Sequence, residues 1–167
     1  HHIEIAATTY EGIARAAATL ASYRLQAGVG FEAIRACEID DAPRYGWRGV
    51  MVDTARHFFP IPQLERFIDS LFLHKISVLH LHLTDDQGWR FAVEGRPRLA
   101  ERSAYRDDLT TDYGSYGGYY TASELSSLDG YARDLGITIV PEVDLPGHTT
   151  SLFAAYPELS CRGEEIE

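Results

Sequence analysis

Apolar residues recur along this chain with two periods, one suited to strands and one to helices. Residues 3–7, Ile-Glu-Ile-Ala-Ala, alternate as a short strand does. Thr8 and Glu11 have the spacing of a capping box, in which each side chain satisfies the other's free backbone N–H. Ile13, Ala16, Ala17, Leu20 and Ala21 then recur at helical spacing, with Gly28 and Gly30 placed to end the helix. Phe31 to Ile39 reads as a further strand. This strand–helix–strand opening leaves no room for a complete domain before Pro43.

The pattern changes after Asp40-Asp41-Ala42-Pro43. Gly49 to Asp53 predicts a strand, and Pro60 and Pro62 open a helix with Leu64, Phe67, Ile68, Leu71 and Phe72 as its inward stripe. Ile76 to Thr84 predicts a second strand. A long polar connection rich in Gly, Arg and Tyr comes next, from about Asp85 to Tyr120, and loops of that length are uncommon unless functional. Thr121 and Glu124 form a second possible capping box, ahead of a helix with Leu125, Leu128, Ala132 and Leu135 on one face. Gly136 is a natural stop, and residues 137–140 predict a third strand running into Pro141 to His148. Strands separated by amphipathic helices imply an α/β fold with a parallel sheet.

Composition narrows the function classes. The 167 residues suffice for a modest core, and a hydrophobic share of 45% excludes a mainly disordered chain. A formal net charge of −10 argues against a nucleic-acid partner, because phosphate binding needs a basic face. It leaves a neutral sugar open. No apolar run approaches the roughly 20 residues that span a bilayer, so no membrane partner is expected. His1-His2 is native or a tag remnant, and no charged-then-apolar leader comes after it. Cys37 and Cys161 have neither metal spacing nor a disulfide-rich pattern.

Each predicted central strand ends in polar residues: Asp53, Arg56 and His57, then His80, His82, Asp85 and Asp86, then Glu142, Asp144 and His148. Parallel neighbouring strands would bring the three groups to one rim, where α/β barrels build their sites. Arg56 has the fork geometry for vicinal hydroxyls or a carboxylate, or for a salt bridge to Asp53. Asp85 and His148 can form a pair in which the carboxylate fixes the imidazole tautomer, or simply satisfy one another as buried polar groups. Trp89, Tyr113, Tyr116, Tyr119 and Tyr120 are sugar-stacking candidates or loop anchors. His80-x-His82 with an Asp resembles the ligands of barrel metallohydrolases, since alternate strand residues share a face. The pair lies well before the strand's polar end, so no metal is assigned and a metal-dependent hydrolase stays the lesser alternative.

Several of these segments also carry a resemblance. Residues 47–60, from Trp47-Arg48-Gly49 through Ala55-Arg56-His57-Phe58-Phe59-Pro60, resemble the first barrel strand of glycoside hydrolase family 20, the β-N-acetylhexosaminidases. His74 through Asp85-Asp86-Gln87-Gly88-Trp89-Arg90 is similar to the second strand of that family. Gly118-Tyr119-Tyr120-Thr121 and residues 140–149 (Val-Pro-Glu-Val-Asp-Leu-Pro-Gly-His-Thr) resemble its third unit, and Tyr156-Pro157-Glu158-Leu159 continues the match.

The resemblance implies a partial (β/α)8 TIM barrel, its first three to four β/α units over residues 44–167. Residues 1–43 would be the C-terminal part of a small α+β accessory domain. It implies a retaining exo-β-N-acetylhexosaminidase removing terminal GlcNAc or GalNAc, with the substrate's own acetamido group as nucleophile, a recognised exception to the two-carboxylate scheme. No metal or organic cofactor is implied. Arg56 matches the arginine that holds sugar hydroxyls, and Asp85 and His148 match a pair supporting the general acid. Glu142, Asp144 and His82 match neighbouring rim positions. The family's catalytic Asp-Glu comes after a His-x-Gly-Gly stretch, and neither occurs in these residues; Glu164-Glu165 lacks that context. The expectation is a front fragment, inactive alone, that needs the remainder of the barrel. The alternative is a non-catalytic sugar-binding or folding fragment.

Overall fold

Three parallel strands in the order β1 (Gly49–Asp53), β2 (Val78–His82) and β7 (Thr138–Glu142) form the central sheet. The computed structural model describes residues 2–27, 35–107 and 115–163. Helix α2 (Ile61–Leu73) connects β1 to β2, and α4 (Ala122–Asp134) leads into β7. Both β–α–β crossovers are those the hydrophobic periods imply, and β1 has the bounds read from the sequence. β2 is shorter than expected, and β7 extends to Glu142.

The sheet's two faces differ. Leu79 and Leu81 point outward and join Leu64, Ile68, Leu71, Leu128, Ala132 and Ile137 in one core, with Val50, Val52 and Ile139 packed against it. Each fully buried Leu or Ile side chain in it contributes about 1.5–3 kcal/mol. On the opposite face Met51, His80 and Val140 are in register, and Met51 and Val140 are exposed. One row further along, Asp53, His82 and Glu142 are also in register. This row places one polar group from each strand end on one rim.

Helix α4 starts as its sequence implies. Thr121 Oγ1 accepts from the Glu124 N–H, and Glu124 accepts in return from the Thr121 N–H at 2.8 Å. Pro60 precedes α2 and Pro62 lies in its first turn, where a missing N–H costs nothing.

The N-terminal residues depart from expectation. Residues 3–7 and 35–39 form no strand, and 28–34 lie outside the described residues. Helix α1 (Tyr10–Ala27) is capped by Thr9, whose Oγ1 accepts from Gly12 N–H at 3.0 Å, so the box expected at Thr8 and Glu11 does not form. Its buried face is Ala14 and Ala18, while Ile13 is exposed. Small residues face inward because α1 approaches the neighbouring backbone closely: a Cβ built on Gly136 would lie 3.0 Å from that of Ala14.

The stretch expected as one long loop contains short elements. β3 (Thr84–Asp85) pairs antiparallel with β4 (Gly88–Trp89), and β5 (Tyr105–Asp107) with β6 (Ser115–Gly117), with helix α3 (Pro97–Glu101) between the pairs. Two- and three-residue strands are too short to show alternation. Arg90 locks this excursion to the sheet. Fully buried, its guanidinium donates to the carbonyls of Thr54, Ala55, Ala104 and Gly118. Helix α5 (Thr150–Ala155) closes the described fold, with a 3-10 turn after it at Pro157–Leu159.

Candidate active site

The turn after β2 carries the site because it reverses the chain at once. Thr84 and Asp85 leave the sheet as β3, and Thr84 Oγ1 accepts from the Asp144 N–H at 2.9 Å, tying the β2 and β7 ends together. Asp85 is thereby buried at 1% exposure. A carboxylate so placed requires donors.

Asp85 has several. Its Oδ2 lies 2.6 Å from Arg56 Nη2 and 2.8 Å from His82 Nε2. Its Oδ1 accepts from the Asp86 N–H at 2.7 Å and lies 3.3 Å from His148 Nδ1. The sequence-expected partners Asp85 and His148 are therefore brought together. Arg56 also donates to Asp53 Oδ2 at 2.6 Å, while Asp53 Oδ1 accepts from the backbone N–H groups of Ala55 and Arg56. The Asp53 salt bridge and the rim placement of Arg56 thus coexist, and the Arg56 side chain remains 46% exposed.

His82 is the hub that the sequence alone does not single out. Its Nδ1 lies 2.9 Å from Glu142 Oε2, which His80 Nε2 approaches to 2.7 Å. Burial opposes charge on His82, yet the hydrogen bonds to Glu142 and Asp85 outweigh it and move its pKa up from 6.5. The His82 hydrogen bond in turn holds Glu142 below the usual carboxylate range. Burial of Asp53 acts upward, but the Arg56 backbone and side-chain hydrogen bonds prevail and lower it. Asp86 is lowered by the Thr150 hydroxyl and N–H, which it accepts at 2.7 and 3.0 Å where α5 begins. The three-residue spacing of His82 and Asp85, a bend rather than a strand, is the signal in the chain that points to this hub.

The His80 and His82 pair considered as metal ligands is turned toward one carboxylate. His80 and His82 do share a face, but both rings are directed at Glu142 Oε2. Among the described residues, ligand-type atoms gather within 4.8 Å in His82, Asp85 and Asp144 and in Asp85, Asp86 and His148, and neither group includes His80. His82 and Asp85 already bond one another, so they are not assigned as ligands.

The aromatic residues act mainly as anchors. Trp89 is buried, with its indole N–H on the Phe91 carbonyl at 2.9 Å. Tyr120 is buried and donates to the Phe59 carbonyl at 2.7 Å. Tyr116 accepts from the Phe58 N–H and lies beside His57, with ring centroids 5.5 Å apart. Tyr119 is half-buried, and Tyr113 lies outside the described residues.

A cluster of Arg, Asp and His on the rim of parallel strands suits sugar chemistry, and comparison with known proteins decides among the possible owners of such a rim. The profile of the glycosyl hydrolase family 20 catalytic domain matches residues 45–167. The chain belongs to glycosyl hydrolase family 20. It is 45% identical over 151 residues to a beta-hexosaminidase of Akkermansia muciniphila, covering 90% of this chain and 31% of that protein. A beta-N-acetylhexosaminidase of Cellulomonas fimi is 40% identical over the whole chain, which corresponds to 33% of its own length. Among family 20 structures, a beta-N-acetylhexosaminidase superposes with a TM-score of 0.82 at 45% identity, over 89% of this chain and 32% of that one. The Vibrio harveyi family 20 exo-beta-N-acetylglucosaminidase, solved with N-acetylglucosamine, gives 0.79 at 38% identity over 89% of this chain and 24% of that one. The chain thus spans about a third of the length of the Akkermansia and Cellulomonas proteins, and less of the Vibrio harveyi one.

Proposed function

We propose that this chain is the front part of a retaining exo-β-N-acetylhexosaminidase acting on carbohydrates with a terminal β-linked N-acetylhexosamine. The observation that carries the reading is Asp85 holding Arg56 on one side and His148 on the other, at the open rim of three parallel strands. Arg56 is held by two carboxylates yet half-exposed, so its outer N–H groups are free to meet sugar hydroxyls. Asp85 orients His148, which would reach the general acid from its other ring nitrogen. Glu142 and Asp144 complete the rim.

The chemistry derives from the substrate. The 2-acetamido oxygen bonds to the anomeric carbon as the glycosidic C–O bond breaks. A glutamic acid gives its proton to the leaving oxygen. Water then opens the oxazolinium ring with the same glutamate as base, and the configuration is retained. No cofactor enters this scheme. The Asp-Glu pair that would orient the acetamido group and donate the proton lies outside these residues.

Residues 44–167 are read as the first units of a (β/α)8 barrel, and residues 1–43 as the end of an α+β domain. The exposed Met51 and Val140 on the inward sheet face support further strands closing over it. The net charge of −10 disfavours nucleic acid, and no described helix is long and apolar enough to cross a membrane.

The test compares 4-nitrophenyl N-acetyl-β-glucosaminide with 4-nitrophenyl β-glucoside. The natural-length protein should cleave the first and leave the second, which lacks the acetamido nucleophile. The 167-residue chain should cleave neither. Equal turnover of both by the natural-length protein would refute the mechanism, and turnover of the acetamido substrate by the 167-residue chain would refute its dependence on residues elsewhere.

A further inference from the structure

We propose that His82, the last residue of β2, is a positioning residue: a doubly protonated imidazole bridging Glu142 on β7 and Asp85 on β3, which aims Asp85 at Arg56 and His148. The argument is one of donors and acceptors. Asp85 receives Arg56 and the Asp86 N–H, so its oxygens act as acceptors, and His148 Nδ1 lies 3.3 Å from Oδ1. Glu142 is a carboxylate held below the usual range, with His80 Nε2 2.7 Å from its Oε2. Each His82 ring nitrogen faces one of these oxygens, Nε2 at 2.8 Å from Asp85 and Nδ1 at 2.9 Å from Glu142. Acceptors at both ends require an N–H at both ends, and only the imidazolium has two.

Burial opposes that charge, and the surrounding carboxylates offset it. Asp53 on β1, Glu142 on β7, Asp85 on β3 and the nearby Asp144 are acidic, while the neighbouring basic groups lie against these same carboxylates: Arg56 against Asp53 and Asp85, His80 against Glu142 and His148 against Asp85. The residue is 5% exposed and both ring nitrogens are occupied, so no water is needed to satisfy it. Charge-assisted hydrogen bonds at both ends fix its plane. Because Asp85 Oδ2 is shared by His82 and Arg56, movement of one shifts the other.

The catalytic consequence rests on the N-acetylhexosaminidase reading; the protonation state does not. Two measurements on the natural-length protein separate them. Long-range 1H–15N spectra of 15N-histidine-labelled protein, with His82→Gln for assignment, should show both His82 nitrogens protonated at pH 7.5. A neutral tautomer there would overturn the proposal. Should His82→Gln fail to fold, Glu142→Gln marks the same ring by perturbing its signals. With 4-nitrophenyl N-acetyl-β-glucosaminide, His82→Gln should lose roughly 10- to 100-fold in kcat, as a small misplacement of reacting groups does. Its alkaline limb should also move relative to wild type. Wild-type kcat and an unchanged pH profile in folded His82→Gln would overturn the positioning role. No turnover by the wild-type protein would count against the hexosaminidase reading and leave the protonation result standing.

Discussion

Asp85 Oδ2 and His82 Nε2 meet at 2.8 Å although only two residues separate them in sequence. The chain bends between β2 and β3, so a strand residue and the first carboxylate beyond it face each other. This contact joins the three polar strand ends into one network: His80, Glu142, His82, Asp85, Arg56 and Asp53 are linked one to the next by 2.6–2.9 Å contacts.

Arg56→Ala should weaken kcat/KM of the natural-length protein by about 10- to 100-fold, the scale of one charged hydrogen bond to a substrate. A rise in KM should account for much of it. Steady-state kinetics with an aryl N-acetyl-β-glucosaminide provides the check, and unchanged KM and kcat would remove Arg56 from the sugar subsite.

Arg90→Met should destabilise the fold. It leaves the carbonyls of Thr54, Ala55, Ala104 and Gly118 without their buried donor. A loss on the order of 3 kcal/mol is expected in urea unfolding. Arg90→Lys should recover little of it, because a single ammonium cannot span the fork of acceptors.

Stability should fall on both sides of the weakly acidic range. His82 is raised in the folded state, so its contribution is full below its ordinary value of about 6.5 and is lost as pH rises through the raised value. Asp53, Asp86 and Glu142 are lowered, so theirs is present above the ordinary carboxylate range and lost as pH falls through the lowered values. Thermal unfolding across pH should show a smaller alkaline decline in His82→Gln. Identical alkaline slopes would contradict the assignment.

Gly117→Ala should disrupt the pairing of β5 with β6. A Cβ there would run into the backbone carbonyl of Ala104, at a φ of +151° that side chains rarely adopt. Backbone cannot yield as a side-chain tip does, so reduced Tm is expected by differential scanning calorimetry.

The legible parts of this chain are those with long, uninterrupted periods. The β1 boundaries, the start of α2, the Thr121–Glu124 box and the parallel pairing of strands come from residues whose local and tertiary preferences agree. The rim is legible for the same reason: parallel neighbours must bring their polar ends together. The inward face of α1 is not, because close packing selects Ala14 and Ala18 over the larger Ile13. Trp89 and Tyr120 offer an apolar body and a polar tip, and only tertiary structure shows the tip satisfied by backbone carbonyls. His82 is hidden as a hub because its second carboxylate, Glu142, is 60 residues away.

The most direct measurement is the anomer first released from an aryl N-acetyl-β-glucosaminide by the natural-length protein, tracked by 1H NMR before mutarotation. Attack by the acetamido oxygen and then by water inverts the anomeric carbon twice, so β-N-acetylglucosamine should appear first. Initial release of the α anomer would contradict the substrate-assisted, retaining reaction proposed for this site.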